Sequence, residues 1–200
     1  MISRLSFRPL LLAGWAALLS HSAAQAQAVP ARPAKARLVI TTVYLVRHAE
    51  KDSTSDPADQ TLSAAGQVRA RALRQLLVRR HPAALFTTDT KRTRVTLAPL
   101  AEATRLVPQV YNPKEPNVLA ARIREEYAGK TVVVVGHSNT LLPCIAALGG
   151  TLPVREIGDK EYRYLFTVRI PNGGPSPTVA VRHYGAKPQL TAADKAARTH

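Results

Sequence analysis

The stretch Val43-Tyr44-Leu45-Val46-Arg47-His48-Ala49-Glu50-Lys51 determines the predicted fold, because an apolar run changes there into charged and ionisable residues. The apolar residues from 38 to 46 are typical of a strand buried on both faces of a parallel sheet. The carboxyl ends of such strands form the ligand crevice of open α/β sheets. We therefore interpret Arg47 and His48 as the beginning of an active site.

Length and composition fit a single globular domain preceded by an export signal. The 200 residues are 46% hydrophobic, and the chain shows neither an internal repeat nor a disordered composition. Arg4 and Arg8 precede an apolar block over residues 10–19, and small residues ending in Ala26-Gln27-Ala28 follow, as in a secretory signal peptide. The block of about ten residues is shorter than the roughly 20 that span a bilayer. We therefore expect cleavage rather than a retained transmembrane anchor.

The predicted organisation has four segments. A signal peptide over residues 1–28 is followed by a flexible leader of Pro, Ala and basic residues over 29–37. One folded domain then covers residues 38–186, and a polar tail covers 187–200. We expect the processed protein to be periplasmic or secreted.

The formal net charge of +15 favours anionic ligands. Nucleic acid is disfavoured as a partner, because only 5% of the residues are aromatic and no DNA-reading motif is present. Phosphorylated substrates or anionic envelope surfaces fit the charge better. The alternative source of the charge is a solvated helix face, which we expect to carry Arg69, Arg71, Arg74, Arg79 and Arg80.

Hydrophobic periodicity predicts alternating strands and helices from residue 38 onward. Strands are expected at residues 38–46, 83–86, 106–111 and 131–135. Helices are expected at 63–80, 118–127 and 140–148. A further helix is expected to begin in the polar residues 87–94 after the second strand and to end at residue 104. Residues 162–170 and 178–184 alternate in a period-two pattern around the turn Asn172-Gly173-Gly174, which predicts an antiparallel hairpin. The predicted fold class is α/β, with a mostly parallel central sheet, helices on both faces in three layers, and this C-terminal hairpin.

Three of the predicted strands deliver polar side chains at the point where each strand ends, near residues 46, 86 and 135. One sheet edge thereby gathers two guanidiniums and two imidazoles, those of Arg47, His48, Arg92 and His137. Arg forks match tetrahedral phosphate oxygens, and helix N-termini add backbone donors. The set predicts an oxyanion site without a metal.

Four motifs occur in order along the chain: Arg47-His48 after the first strand, Leu62-Ser63 with Gly66, Thr88-Asp89 with Arg92 and Thr96, and Gly136-His137-Ser138. Together they resemble the histidine phosphatase superfamily, which has the phosphoglycerate-mutase-like fold. The resemblance covers roughly residues 39–168 and implies a histidine phosphatase domain over 38–186. The family usually has Gly after the catalytic His. Ala49-Glu50-Lys51 is instead similar to the variant found in small exported bacterial members.

The resemblance implies that His48 attacks phosphorus and forms a covalent phosphohistidine. It also implies that Arg47, Arg92 and His137 surround the transferring phosphoryl group. The chemistry of the residues supports these roles, because a neutral imidazole is a nucleophile near neutral pH and fixed cations stabilise the charge of the transition state. We expect neither a metal nor a cofactor.

An acid that protonates the departing oxygen is the remaining requirement. Glu115 lies in the loop where many relatives keep their acid, so the resemblance favours it. Glu50 and Asp52 are rivals close to His48, although Glu50 could instead pair with Lys51 or a pocket Arg. We expect three further residues to bind substrate: Ser138, Asn139 and Lys51.

Other nucleophiles are disfavoured. Residues 136–140 lack the second Gly of a nucleophile elbow around Ser138. Cys144 is the only cysteine, so it cannot form an internal disulfide, and its apolar surroundings predict a buried hydrophobe rather than a nucleophile. No Gly-rich turn after the first strand supports a Rossmann dinucleotide site.

The predicted function is a metal-independent, acid-type histidine phosphatase that hydrolyses phosphomonoesters. A small phosphorylated compound such as an envelope sugar phosphate is the expected substrate. The chain has little length for the extra loops of a mutase. Two alternatives stay open: a noncatalytic phosphate-binding or envelope interaction protein on the same fold, and a phosphohistidine phosphatase.

Overall fold

The computed structural model describes residues 38–186. The predicted signal peptide, leader and polar tail lie outside these residues. None of the helices within 38–186 combines the length and the hydropathy that a membrane span requires.

Strands and helices alternate along most of the described chain. In order they are β1 (Ile40–Arg47), α1 (Ala64–Leu77) with a 3₁₀ turn (Val78–Arg80), β2 (Ala84–Thr87), α2 (Lys91–Thr104), β3 (Gln109–Val110), α3 (Pro116–Glu126), β4 (Thr131–Gly136), α4 (Ser138–Ala147), β5 (Tyr164–Pro171) and β6 (Thr178–His183). The side chain of Ser63 accepts a hydrogen bond from the backbone of Gly66, as expected for the N-cap of α1.

The six strands form one sheet in the order β3-β2-β4-β1-β5-β6. β3, β2, β4 and β1 are parallel neighbours, whereas β5 pairs antiparallel with both β1 and β6. The α/β prediction with a mostly parallel sheet and an antiparallel C-terminal hairpin is confirmed. β1 lies inside the sheet, between one parallel and one antiparallel partner.

Two apolar clusters cover the two faces of the sheet. α3 and α4 pack on the face that carries Val43 and Leu45 of β1, and α1 and α2 pack on the face that carries Val46. The four consecutive Val residues of β4 are divided between these clusters and are all fully buried. A strand buried on both faces has no polar position, which explains why the sequence shows a run rather than an alternation.

Several predicted boundaries were wrong. The third strand was predicted over residues 106–111, but only Gln109 and Val110 pair with β2, because β3 is an edge strand beside a four-residue partner. Val107 is 84% exposed, as expected outside the ladder. α3 and α4 each begin two residues earlier than predicted, at Pro116 and Ser138. Proline is favoured in the first turn of a helix, where its missing N–H is not needed.

The prediction for the arginines of α1 was wrong at one position. Arg71, Arg74, Arg79 and Arg80 are exposed, but Arg69 is only 4% exposed because its guanidinium is bonded to Glu50 and to backbone carbonyls. Cys144 is buried, as predicted, and burial raises the pKa of its thiol to about 11. A thiol in this state is inert as a nucleophile at neutral pH.

Candidate active site

The ends of β2, β4 and β1 lie side by side at the carboxyl edge of the parallel strands. Arg47 pairs with Gly136 across β1 and β4, and Thr87 pairs with Val135 across β2 and β4. A cleft of about 750 Å³ opens at this edge. Its walls are formed by Arg47, His48, Lys51, Pro57, Ala58, Gln60, Arg92, Pro113, Lys114, His137, Ser138, Asn139 and Thr140. The structure therefore brings together seven of the site residues that the sequence predicted.

His48 is held by two hydrogen bonds at the end of β1. Its backbone N–H donates to the carbonyl of Gly136 at 2.9 Å, and its ring Nδ1 lies 2.8 Å from the carbonyl oxygen of Ala49. Because a carbonyl oxygen only accepts, Nδ1 carries the proton and Nε2 keeps a free lone pair. Burial lowers the pKa of His48 to about 3, and Arg47, His137 and Arg92 act in the same direction. The imidazole is therefore neutral at physiological pH.

Ala49 takes the position where the family usually has Gly. Its φ is not positive, so the backbone there does not require glycine. Its N–H donates to Oγ1 of Thr96 at 2.9 Å, and that hydroxyl donates to the carbonyl of Arg92 at 2.7 Å. The residue after His48 is thus tied to the first turns of α2, which carry Arg92.

The segment between α4 and β5 holds Arg47. Nη1 donates to the carbonyls of Gly158 and Asp159 at 2.8 and 2.9 Å, and the guanidinium lies 4.4 Å from the ring centre of Tyr162. The same ring lies 5.9 Å from the His48 ring. Nε of Arg47 is buried without a partner in the described part of the protein. A buried N–H in this state suits a ligand oxygen.

His137 lies beside His48 with 5.4 Å between the ring centres. Arg92 Nη2 lies 3.5 Å from Nδ1 of His137, and Nε2 lies 2.9 Å from Oγ1 of Thr88. Since a guanidinium only donates, Nδ1 accepts and Nε2–H donates to the threonine. Burial lowers the pKa of His137 to about 4, with Arg92 and Arg47 contributing. A bound dianion would reverse the effect of these two cations.

The cleft is cationic. Within the described part of the chain, four basic side chains line it, those of Arg47, Lys51, Arg92 and Lys114, and no carboxylate does. The salt bridges within residues 38–186 join other pairs: Arg69 with Glu50, Arg94 with Asp89, and Arg122 with Glu126. The guanidiniums of Arg47 and Arg92 therefore form no salt bridge in this part of the chain, although the charge of Asp159 acts to raise the pKa of Arg47. An anion is the ligand that this arrangement accepts.

The sequence of this region matches a known family. The model of the histidine phosphatase superfamily, branch 1, matches residues 43–114, which span the end of β1, α1, β2, α2 and the loop that carries Lys114. Over these residues the chain is similar to the histidine phosphatase superfamily. A search of curated proteins finds no match.

Solved structures agree on the fold. The structure superposes on mycobacterial glucosyl-3-phosphoglycerate phosphatase with a TM-score of 0.58 and 18% identity, over 74% of this chain and 100% of that one. The putative phosphohistidine phosphatase SixA from Agrobacterium tumefaciens gives a TM-score of 0.51 and 20% identity, over 74% and 99%. The protein histidine phosphatase SixA complexed with tungstate gives 0.54 and 15%, over 72% and 95%. The phosphoglycerate-mutase-like fold is thereby confirmed.

Glu50 does not line the cleft. Its carboxylate accepts three hydrogen bonds from the buried guanidinium of Arg69, at 2.6 to 2.9 Å. Arg69 in turn donates to the carbonyls of Tyr184 and Ala186. The alternative in which Glu50 pairs with Lys51 or a pocket Arg is not observed, because the carboxylate pairs with Arg69. A carboxylate fixed in this way acts as a structural anchor rather than a rival acid.

Glu115 and Asp52 are also absent from the walls of the cleft. Glu115 is exposed, accepts from Nδ2 of Asn112 at 2.9 Å and faces a separate hollow beside α3. Oδ1 of Asp52 accepts from the hydroxyl and the backbone N–H of Thr54, and these bonds lower its pKa. A lowered pKa is the opposite of what a general acid at neutral pH requires. The structure therefore brings neither carboxyl to the reacting groups.

Two residues of the site were missed by sequence reasoning. Lys114 enters the cleft from the loop in which Glu115 was favoured. Tyr162 was assigned to a strand because it continues the alternation of β5, but the strand begins at Tyr164. No local signal shows that Tyr162 contacts Arg47, since the two lie far apart in the chain. Within residues 38–186 no three His, Cys, Asp or Glu side chains are grouped to hold a metal ion.

Proposed function

We propose that this protein is a histidine phosphatase, which transfers a phosphoryl group from its substrate to Nε2 of His48 and then hydrolyses the phosphohistidine. The observation that carries the proposal is the 2.8 Å contact between Nδ1 of His48 and the carbonyl of Ala49. It leaves a neutral Nε2 with a free lone pair in a cleft that four basic side chains line. Phosphoryl transfer to a histidine needs a neutral imidazole as the nucleophile and a cationic site that binds the phosphoryl group.

The reaction has two displacements at phosphorus. In the first, the lone pair of Nε2 forms a bond to phosphorus, and the bond from phosphorus to the leaving atom breaks with its electron pair. In the second, water attacks phosphorus, the N–P bond breaks, and His48 returns to its neutral form as orthophosphate leaves. Arg47 and Arg92 stabilise the charge on the equatorial oxygens in both steps, and His137 joins them once the bound dianion raises its pKa and its ring takes up a proton.

Among residues 38–186 no carboxyl lines the cleft, and this bears on the leaving group. A departing alkoxide needs a proton, whereas a phenolate departs without one and the imidazole of a phosphohistidine can be protonated by solvent. We therefore propose a preference for good leaving groups. This observation favours a phosphohistidine or another phosphoramidate as a second candidate substrate, beside phosphomonoesters. An envelope sugar phosphate has an alkoxide leaving group, so we propose that it is hydrolysed more slowly.

The cellular location is part of the proposal. We propose that the enzyme acts in the periplasm or outside the cell, and this rests on the sequence of residues 1–28 alone. Metal independence is likewise a proposal, based on a cationic site that already supplies the charge a metal would bring.

A leaving-group series tests the proposed function. Turnover of aryl phosphates of graded phenol acidity, of an alkyl phosphate and of phosphoramidate is measured in EDTA. We expect kcat/KM to rise steeply with leaving-group acidity, with the same slope in Glu50→Gln, Glu115→Gln and Asp52→Asn. A shallow slope that steepens in one variant would assign the acid to that carboxyl. Orthophosphate binding without turnover of any substrate would support the noncatalytic alternative instead.

A further inference from the structure

We propose that the substrate carries a second anionic group besides the transferred phosphoryl group, and that Lys51 and Lys114 bind it. The inference rests on the proposed phosphatase function and adds to it the charge of the substrate. Both lysines line the cleft, and both are exposed at its rim. They come from different loops, so a ligand between them would touch two separate parts of the chain.

The backbone fixes where each lysine stands. Lys51 forms an antiparallel bridge with Leu62 directly after the Arg47-His48 pair. The backbone N–H of Lys114 donates to Oδ1 of Asn112 at 3.0 Å, and Asn112 Nδ2 donates to Glu115. In this turn the carboxylate of Glu115 faces the hollow beside α3, whereas Lys114 lines the cleft. The loop thus contributes a cation to the site and keeps its anion out.

The charge count separates two binding functions. A phosphoryl dianion is matched by the guanidiniums of Arg47, at the end of β1, and Arg92, in the first turn of α2. The ammonium groups of Lys51 and Lys114 then remain, and neither forms a salt bridge within the described residues. A substrate with one phosphoryl group and no other charge would leave both unmatched.

The size of the cleft allows a second group. Its volume of about 750 Å³ lies within the roughly 300–1,000 Å³ of pockets that hold whole metabolites. Pro57, Ala58 and Pro113 contribute apolar surface to the walls, which can contact the uncharged body of a substrate. The second anionic group is a carboxylate or another phosphate, since ammonium groups bind either one.

Binding of non-hydrolysable ligands tests the inference independently of turnover. Dissociation constants are measured by calorimetry for phenylphosphonate, 3-carboxyphenylphosphonate and 1,3-phenylenebisphosphonate. We expect the two ligands with a second anionic group to bind roughly five- to tenfold more tightly, as for two ion pairs of the exposed kind. The carboxylate and phosphonate arms distinguish which group is preferred. Equal affinity of all three ligands would overturn the inference.

Matched variants assign the effect to the two lysines. In the double variant Lys51→Gln and Lys114→Gln, phenylphosphonate should bind somewhat more weakly, and the preference for the doubly charged ligands should disappear. Lys91→Gln is the control, because Lys91 is exposed beside Arg92 but does not line the cleft. A preference that survives the double variant, or is lost equally in the control, would contradict a specific site. Absence of aryl phosphate turnover by the wild-type protein, with its binding preference for the doubly charged ligands present, would instead refute the proposed function.

Discussion

The ring of His48 donates one hydrogen bond, from Nδ1 to the carbonyl of Ala49, and this bond decides which nitrogen is available for chemistry. The acceptor belongs to the next residue in the chain, so the tautomer is set by the backbone rather than by a carboxylate. A backbone acceptor suits a site whose ligand is an anion, because a carboxylate beside the nucleophile would repel the ligand. The nucleophile and its cationic surroundings are therefore compatible.

Tyr162 is predicted to be a positioning residue for Arg47. Its ring lies 4.4 Å from the guanidinium, and such contacts contribute about 0.5–2 kcal/mol. Tyr162→Leu should lower kcat/KM for an aryl phosphate by roughly three- to tenfold. Tyr162→Phe keeps the ring and should retain most of the activity. Steady-state kinetics of both variants checks this, and equal losses in the two would show that the hydroxyl matters rather than the ring.

The sequence predicts where the three strands end, but it does not predict which side chains from other elements contact those ends. The Val runs of β1 and β4 mark buried parallel strands, and parallel strands place their ends together. This gave Arg47, His48 and His137 in one site. The position of the Glu50 carboxylate depends on Arg69, which lies on α1 and donates hydrogen bonds to the carbonyls of Tyr184 and Ala186 after β6. Such a contact joins distant parts of the chain, so no local pattern records it.

The acid prediction failed to find support for a similar reason. Whether Glu115 or Lys114 faces the cleft depends on a turn closed by Asn112. Adjacent residues in a loop point in different directions, and the sequence does not show which one faces the site. Strand ends are predictable because their geometry is regular, whereas loop directions depend on single hydrogen bonds.

The packing of α1 against the strand end is predicted to require Gly66. A Cβ atom there would lie 2.2 Å from the carbonyl oxygen of Glu50, which is backbone and cannot rotate away. Gly66→Ala should lower the free energy of unfolding by about 1–3 kcal/mol. Gly158→Ala is the control, because its nearest neighbour is a side-chain atom at 3.6 Å. Urea unfolding of both variants checks this. Equal stability of the two would mean that α1 shifts at no cost.

For the whole molecule, burial of two neutral histidines predicts a pH-dependent stability. The pKa of His48 falls from about 6.5 to about 3, and that of His137 to about 4. The unfolded chain binds more protons than the folded one between those values, so stability rises with pH across that range. Acidification from pH 7 to 4.5 should therefore destabilise the protein. His48→Gln should reduce this loss of stability, as measured by the midpoints of urea unfolding at pH 7 and pH 4.5. An unchanged loss would contradict a buried neutral His48.

The central claim is that His48 accepts the phosphoryl group, and trapping the intermediate tests it most directly. The enzyme is mixed rapidly with an aryl phosphate, quenched in alkali, in which phosphohistidine survives, and digested for peptide mapping by mass spectrometry. We predict a phosphorylated peptide that contains His48, formed in the wild type and absent from His48→Gln. Turnover without any phosphorylated His48, or the same phosphopeptide in the His48→Gln variant, would contradict the mechanism.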